Sequence, residues 1–267
     1  MAALDTTPLQ VIETYYDAVP RSLARAERIG PFTLFVNAGP GWPYYARPSL
    51  GASSFTVEDV QHVRARQREL HVPESFEWVA ETTPALAAAT AAAGLHVSRH
   101  PIMLLHSASD AITSPDVEVR LATPCDDLPL FSAIATVAFG HRGTAAGLAG
   151  LDDARAAVNR DPAEVAVRSE RLRLGLSVTV VAYIRDEPVG VGSHNPLDGT
   201  TELVGVGVLP AFRRRGVAAA LTHRLVNDAL ERGTRTVFLS AGDADVARIY
   251  ERVGFVTIGT ACIAEPT

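Results

Sequence analysis

Alternation at a period of two and apolar stripes at a period of 3.6 divide the second half of the chain into short, regular elements. Ser177 to Arg185 and Pro188 to His194 are apolar, β-branched stretches on either side of an Asp186-Glu187 turn, which predicts an antiparallel hairpin. A second turn at Asp198-Gly199 leads into Thr201 to Val208, where Val204, Val206 and Val208 alternate with glycine as in a strand with one buried face. Pro210 stops that strand, and Gly216 admits a tight turn into an apolar helix from Val217 to Leu230. Thr234 to Ser240 predicts a further strand and Ala241-Gly242-Asp243 a turn. Ala244 to Val253 predicts a helix with Val246, Ile249, Tyr250 and Val253 along one stripe. Asp243 is placed to cap this helix and Gly254 to end it. Upstream, Val119 to Thr123 reads as a strand, and Asp126 to Gly140 and about Ala145 to Arg160 read as two helices.

Three arginines, Arg213, Arg214 and Arg215, stand directly before the glycine that opens the apolar helix. A helix N-terminus exposes unpaired N–H groups and the positive end of the dipole, so this loop is either an anion site suited to phosphate or a solvated basic turn. The spacing Arg213-x-x-Gly216-x-Ala218 resembles the pyrophosphate-binding signature of the GNAT superfamily of acyl-CoA-dependent N-acyltransferases. Downstream, Asp243…Ile249-Tyr250-Glu251-Arg252-Val253-Gly254-Phe255 resembles a second motif of that family, with Asp243 where asparagine is commoner. Three sequential antiparallel strands delivering the chain into the arginine loop follow the family's order, and the resemblance covers roughly residues 116 to 267.

The resemblance implies an α/β (α+β) fold, a mixed and mostly antiparallel sheet flanked by helices. It implies acetyl-CoA as acyl donor and no metal. Arg213, Arg214, Arg215 and the N–H groups of Gly216, Val217 and Ala218 are expected to hold the pyrophosphate, with Asp243 at a further cofactor contact. The pantetheine arm is expected between two splayed strands, paired with the backbone of Val206, Gly207 and Val208, where an N–H polarises the thioester carbonyl. Tyr250 corresponds to the family's general acid toward the CoA sulfur; a packed aromatic on the helix stripe is the other reading. Glu202 lies 11 residues before Arg213, where histone-acetylating members carry a catalytic base. A glutamate at a strand end near a turn explains it equally. His194 is the next candidate base, or a structural strand-end histidine. The acceptor is expected against Phe139-Gly140-His141-Arg142 and the segment Gly143 to Asp153. There Asp152 and Asp153 either attract a cationic amine or simply begin a helix. The implied reaction is N-acetylation of a primary amine of a small molecule or peptide by direct attack in a ternary complex. Other CoA-thioester chemistry (O-acyl transfer or decarboxylation) and a non-catalytic CoA or metabolite sensor are the alternatives.

Composition sets outer bounds. A chain of 267 residues suits two domains, and a hydrophobic fraction of 47% is ample for buried cores. Net charge is −6, which argues against a nucleic-acid surface, and all 24 basic residues are arginine, so lysine Schiff-base chemistry is absent. No apolar run approaches a membrane span and no charged-then-apolar leader opens the sequence, so a cytoplasmic protein is expected, monomer or homodimer, without nucleic-acid or membrane partners. Two cysteines, Cys125 and Cys262, make no disulfide framework or zinc site and are expected as buried small residues.

The first half repeats the second. Aligning Gly94 with Gly254, an offset of 160, sets Phe76 to Val79 on Thr236 to Leu239 and Thr56 to Leu70 on Gly216 to Leu230 without a gap. Tyr44 to Arg47 then fall on Val204 to Gly207. The arginines fall on Ser53-Ser54-Phe55, and Tyr250 falls on Thr90. Residues 1–108 are therefore expected to form a degenerate GNAT-like unit without a cofactor site. A linker at 109–116 and a catalytic domain over 117–267 follow. Trp42, Tyr44, Tyr45, Glu74, Glu77 and Glu81 either line an acceptor pocket or are packing and solvation.

Overall fold

A capping box starts the first helix, α1 (Pro8–Ala18): the Thr7 hydroxyl accepts from the Gln10 N–H while the Gln10 side chain accepts from the Thr7 N–H. Strands β1 (Ala24–Ile29) and β2 (Phe32–Asn37) pair antiparallel around Gly30-Pro31. The chain continues through β3 (Ala46–Pro48), α2 (Val57–Glu69), β4 (Phe76–Val79), α3 (Leu86–Ala92) and β5 (His96–Leu105). Next come β6 (Glu118–Leu121), α4 (Leu128–Gly140), α5 (Leu151–Ala156), α6 (Pro162–Arg173), β7 (Val178–Ile184), β8 (Glu187–Leu197) and β9 (Thr200–Val208). Then α7 (Val217–Glu231), β10 (Thr236–Ser240), α8 (Ala244–Glu251) and β11 (Phe255–Glu265) complete it. The computed structural model describes residues 7–37, 39, 43–108 and 114–267; Trp42 and part of the expected linker lie outside them. Among the described residues, no helix is long and apolar enough to cross a membrane.

The chain divides into two compact units, Met1–Ile102 with Ile258–Thr267, and Met103–Thr257. The expected division left residues 258–267 with the second half and 103–108 with the first. In the first unit the strands lie in the order β1-β2-β3-β4-β11-β5. β2–β3 is antiparallel, β3–β4 parallel and β4–β11 antiparallel, with Cys262 opposite Trp78. Phe32, Phe76, Trp78, Val60, Val63 and Leu86 form the core beneath α2 and α3, and Cys262 is buried with them. Cys125 does not follow that expectation; it is exposed in the turn before α4. Glu74 is bridged by Arg64 and Arg68, Glu77 by Arg47, and Glu81 accepts from the Thr260 N–H, so these carboxylates serve the fold.

In the second unit the order is β10-β9-β8-β7-β6. β6, β7, β8 and β9 pair antiparallel, and β10 runs parallel to β9. Val180 and Ala182 pack with α7, while the intervening Val181 packs with α4 and α5, so helices cover both faces of the sheet. Of the helix expected over about Ala145 to Arg160 only α5 forms, after a loop of ten residues from His141 to Gly150, and α6 is a further helix beyond the expected span. Gly143, Gly147 and Gly150 interrupt the helical pattern, and Asp161-Pro162 starts a new helix, the Asp161 carboxylate accepting from Ala163 N–H. The tight turn of the β7–β8 hairpin falls at Arg185 and Asp186, both at positive φ, one residue earlier than expected.

The offset of 160 holds for α2 against α7 and β4 against β10, but fails at the third strand. Ala46 pairs with Phe76, a separation of 30, whereas Thr200 pairs with Thr236, a separation of 36. The first unit is thus six residues shorter between its parallel strands: β3 has 3 residues where β9 has 9. Its difference from the second unit is a shortened strand, not only a substituted loop.

Candidate active site

The centre of the second unit is an irregularity in β9. Ser193 pairs with Val204 and Val191 with Gly207, so Gly205 and Val206 both stand opposite the single Gly192. This is a β-bulge with glycine at φ 65°, a conformation that L side chains rarely adopt. Pairing with β10 ends at Leu203–Leu239, while β9 runs on to Val208. The two parallel strands therefore part at the bulge, and among the described residues the β10-facing edge of Val204 to Val208 has no strand partner. A Cβ on Gly205 meets nothing within 4 Å. Gly207 is close-packed instead: a Cβ there lies 3.0 Å from the Ala138 Cβ and 3.7 Å from the Phe139 ring. The glycines of Val204 to Val208 thus have distinct tasks, one to turn the backbone and one to admit α4.

β9 leads through a 3-10 turn (Pro210–Phe212) into the arginine loop. Arg214 has φ 65° and Gly216, the N-cap of α7, has φ 79°. Two left-handed residues in one short turn gather successive N–H groups into a concavity that suits an anion, and the first N–H groups of α7 open into the same place. Gly216 is required twice over, because a Cβ there also comes within 2.6 Å of the Ser114 Oγ, which donates to the Arg215 carbonyl at 2.8 Å. Arg214 and Arg215 are exposed, with Arg215 over the Phe212 ring at 5.5 Å. Arg213 is different: its guanidinium donates to the carbonyls of Val208, Ala145, Ala138 and His141. Beside the loop opens a cleft of about 810 Å³, lined by Ser114, Asp116, Arg185, Glu187, Phe212 and Arg215. Such a volume accommodates a ligand of nucleotide size.

Tyr250 lies in α8 at 8% exposure, its ring edge-on to Phe255 at 6.1 Å. Burial pushes its hydroxyl up to about 12, and among the described residues that hydroxyl has no hydrogen-bond partner. Asp243 caps α8, its Oδ1 accepting from the Val246 N–H at 2.8 Å. Glu202 is half-buried in β9, between Asn195 of β8 and Phe238 of β10. Its neighbours Thr201 and Leu203 face α7, so Glu202 stands on the α4 face. His194 is on the other face and fully buried, its Nδ1 paired with Thr201 Oγ1 at 3.0 Å and its Nε2 with Asp228 Oδ2 at 2.9 Å. Burial lowers its pKa against the pull of Asp228, and Asp228 is also bridged by Arg232. His194 is a core residue, closed to any acceptor.

Residues 150–255 match the GNAT acetyltransferase family model. Over that stretch the chain carries a GNAT acetyltransferase domain. Likeness in fold runs well beyond it. A GCN5-related N-acetyltransferase from Kribbella flavida shares 21% identity at a TM-score of 0.71, covering 98% of this chain and 97% of that one. A GNAT-family protein from Novosphingobium aromaticivorans shares 16% identity at a TM-score of 0.56, with 98% of each chain covered. A tandem GNAT protein from the clavulanic acid biosynthesis pathway shares 13% identity at a TM-score of 0.53, over 87% of this chain and 77% of that one. At these identities the likeness is one of fold. No curated protein is significantly similar in sequence to this chain. In the second unit, sequence reasoning located the loop, the strand and α8 but missed the bulge at Gly205 and the contact of Ser114 with the Gly216 loop. The spacing of glycines in β9 was the available signal for the bulge, since a glycine inside a strand marks a bulge or a close approach.

Proposed function

We propose that the chain is an acetyl-CoA-dependent N-acetyltransferase acting on a primary amine of a small molecule or peptide, with one acyl-CoA site per chain, in the second unit. The observation that carries this reading is the parting of β9 from β10 at the Gly205 bulge, directly upstream of the left-handed turn at the start of α7. That combination offers a free strand edge for the amide groups of an extended arm and an N–H concavity for its phosphates. Arg214, Arg215 and the N–H groups of Gly216, Val217 and Ala218 hold the pyrophosphate, and the edge of Val206, Gly207 and Val208 pairs with the pantetheine. Acetyl-CoA supplies the activated acyl group as a thioester. A backbone N–H released from the ladder by the bulge is aimed at the charge that develops on the acyl oxygen, an arrangement worth roughly 3 kcal/mol.

Glu202 takes the proton of the attacking amine, directly or through water. Tyr250 acts at the sulfur as a hydrogen-bond donor. With its pKa at about 12 the phenol stays protonated throughout the neutral range. Complete transfer of its proton to a thiolate of ordinary pKa is uphill. Tyr250 therefore stabilises the departing sulfur, and the proton that Glu202 took from the amine is given up through solvent to the thiolate, which restores the base and completes the thiol. In the first unit β3 ends at Pro48, which corresponds in register to Glu202 and so stops short of the bulge, and this supports a structural role without CoA. The test is release of free thiol from acetyl-CoA across a panel of primary amines, with matched alcohols. Thiol release with alcohols alone points to O-acyl transfer, and tight CoA binding without turnover on any acceptor points to a sensor.

A further inference from the structure

We propose that Arg213 is a positioning residue for the acceptor side of the site, not a phosphate ligand. The proposal rests on the assignment of β9 and α7 as the acyl-CoA site, and concerns what Arg213 does beside it. Four of the five guanidinium N–H donors are engaged by main-chain carbonyls. Nε donates to Val208 O at 3.2 Å, Nη1 to Ala145 O at 3.2 Å, and Nη2 to Ala138 O at 2.8 Å and His141 O at 2.7 Å. These carbonyls come from three places: the last residue of β9, the last turn of α4, and the loop after it. One side chain thus ties the acyl-bearing strand to the helix whose Ala138 and Phe139 pack on Gly207. The charge is also well placed, because a cation at a helix C-terminus meets carbonyls without intrahelical partners.

The loop from His141 to Gly150 has no regular structure of its own, yet it is pinned along its length. Beyond the Arg213 bonds, Gly147 N–H donates to Pro210 O at 3.1 Å and Ala211 N–H donates to Ala149 O at 3.0 Å. Gly147 sits so close that a Cβ there lies 3.0 Å from the Pro210 Cβ. Between those two backbone bonds Leu148 is held at 100% exposure, and Phe139 remains 60% exposed beside Gly207. An ordered loop that keeps apolar groups in water next to the acyl strand is a prepared wall for the acceptor. A phosphate ligand needs its donors free. Arg213 has one left, whereas Arg214 and Arg215 are exposed.

The experiment compares Arg213→Gln and Arg213→Lys with Arg215→Ala in the full chain, by CoA titration calorimetry and hydrogen–deuterium exchange of the peptide spanning 139–150. Arg213→Gln is expected to raise exchange in that peptide about tenfold or more, since each lost bond to a charged donor is worth at least that factor. CoA affinity is expected to change less than about threefold, while Arg215→Ala weakens CoA by about tenfold without loosening the loop. Lysine keeps the charge but cannot span four carbonyls, so Arg213→Lys is expected to leave the loop as loose as the glutamine variant. With whichever amine the wild type turns over fastest, Arg213→Lys is expected to raise the acceptor KM and leave the acetyl-CoA KM unchanged. A loss of CoA affinity in Arg213→Gln that matches Arg215→Ala, and that Arg213→Lys restores, overturns the proposal. So does unchanged exchange in both Arg213 variants. Failure of the wild type to bind CoA overturns the functional reading instead, while exchange still decides whether Arg213 holds the loop.

Discussion

Replacing Gly216 by alanine strains the N-terminus of α7 in two separable ways. At φ 79° an alanine pays the left-handed penalty of about 1–2 kcal/mol. Its Cβ also arrives 2.6 Å from the Ser114 Oγ, which must swing away and give up its 2.8 Å bond to the Arg215 carbonyl. That bond is worth about 1 kcal/mol, so the total is about 2–3 kcal/mol. If the loop relieves the strain by leaving the left-handed region, the N–H concavity is lost and CoA Kd rises by about 30- to 100-fold. Ser114→Ala separates the parts, because the Ser114 Cβ lies 3.5 Å from the new methyl, an ordinary contact. In a double-mutant cycle read by urea unfolding and CoA calorimetry, the Gly216→Ala/Ser114→Ala chain is expected to be no less stable than Gly216→Ala alone. The two sites are then coupled by about 1 kcal/mol. Strict additivity refutes the argument from Ser114. A Gly216→Ala protein within about 0.5 kcal/mol of wild type refutes the left-handed strain as well.

Three other outcomes are expected. Because burial depresses His194, the fold favours its neutral form; its stabilising share is present above the unfolded value near 6.5 and declines as pH falls below it, at no more than about 1.4 kcal/mol per pH unit. His194→Gln should flatten the urea midpoint between pH 7.5 and 5.5 and leave the pH dependence of kcat unchanged; a lost ascending limb would make His194 the base after all. Tyr250→Phe should lower kcat by about 10- to 100-fold with acetyl-CoA KM little altered, and wild-type kcat should show no descending limb from this group below about pH 10, since its hydroxyl titrates near 12. Calorimetry of the whole chain should give one CoA per chain, and a second site of similar affinity would contradict the reading of the shortened β3.

The elements that carry the site were largely legible because each is specified locally. Asp243 caps α8, Gly216 opens α7, and the 160-residue offset aligns α2 with α7 and β4 with β10. What escaped is decided at long range. The Gly205 bulge is one residue of register between two strands; the glycines of β9 mark a bulge or a close approach but do not say which glycine does which. The Arg213 bonds to Ala138, His141 and Ala145 cross about 70 residues of chain and depend on carbonyls, which every residue has. The late start of α5 turns on Gly143, Gly147 and Gly150, three glycines in eight positions, whereas α6 is started separately by the Asp161-Pro162 pair.

The place of β11 in the first unit has a consequence for how the protein is made. Between β4 and β5 stands a strand whose paired residues, Ala261 to Ala264, are translated more than 150 residues after them. At ordinary synthesis rates the ribosome takes about 10–40 s to cover that distance. For all of that time β4 has an open edge where Trp78 awaits Cys262, a surface prone to wrong pairing. Early completion of the N-terminal unit is therefore closed to this chain, and a nascent chain cut short inside α8 would lack a strand from the unit that was synthesised first.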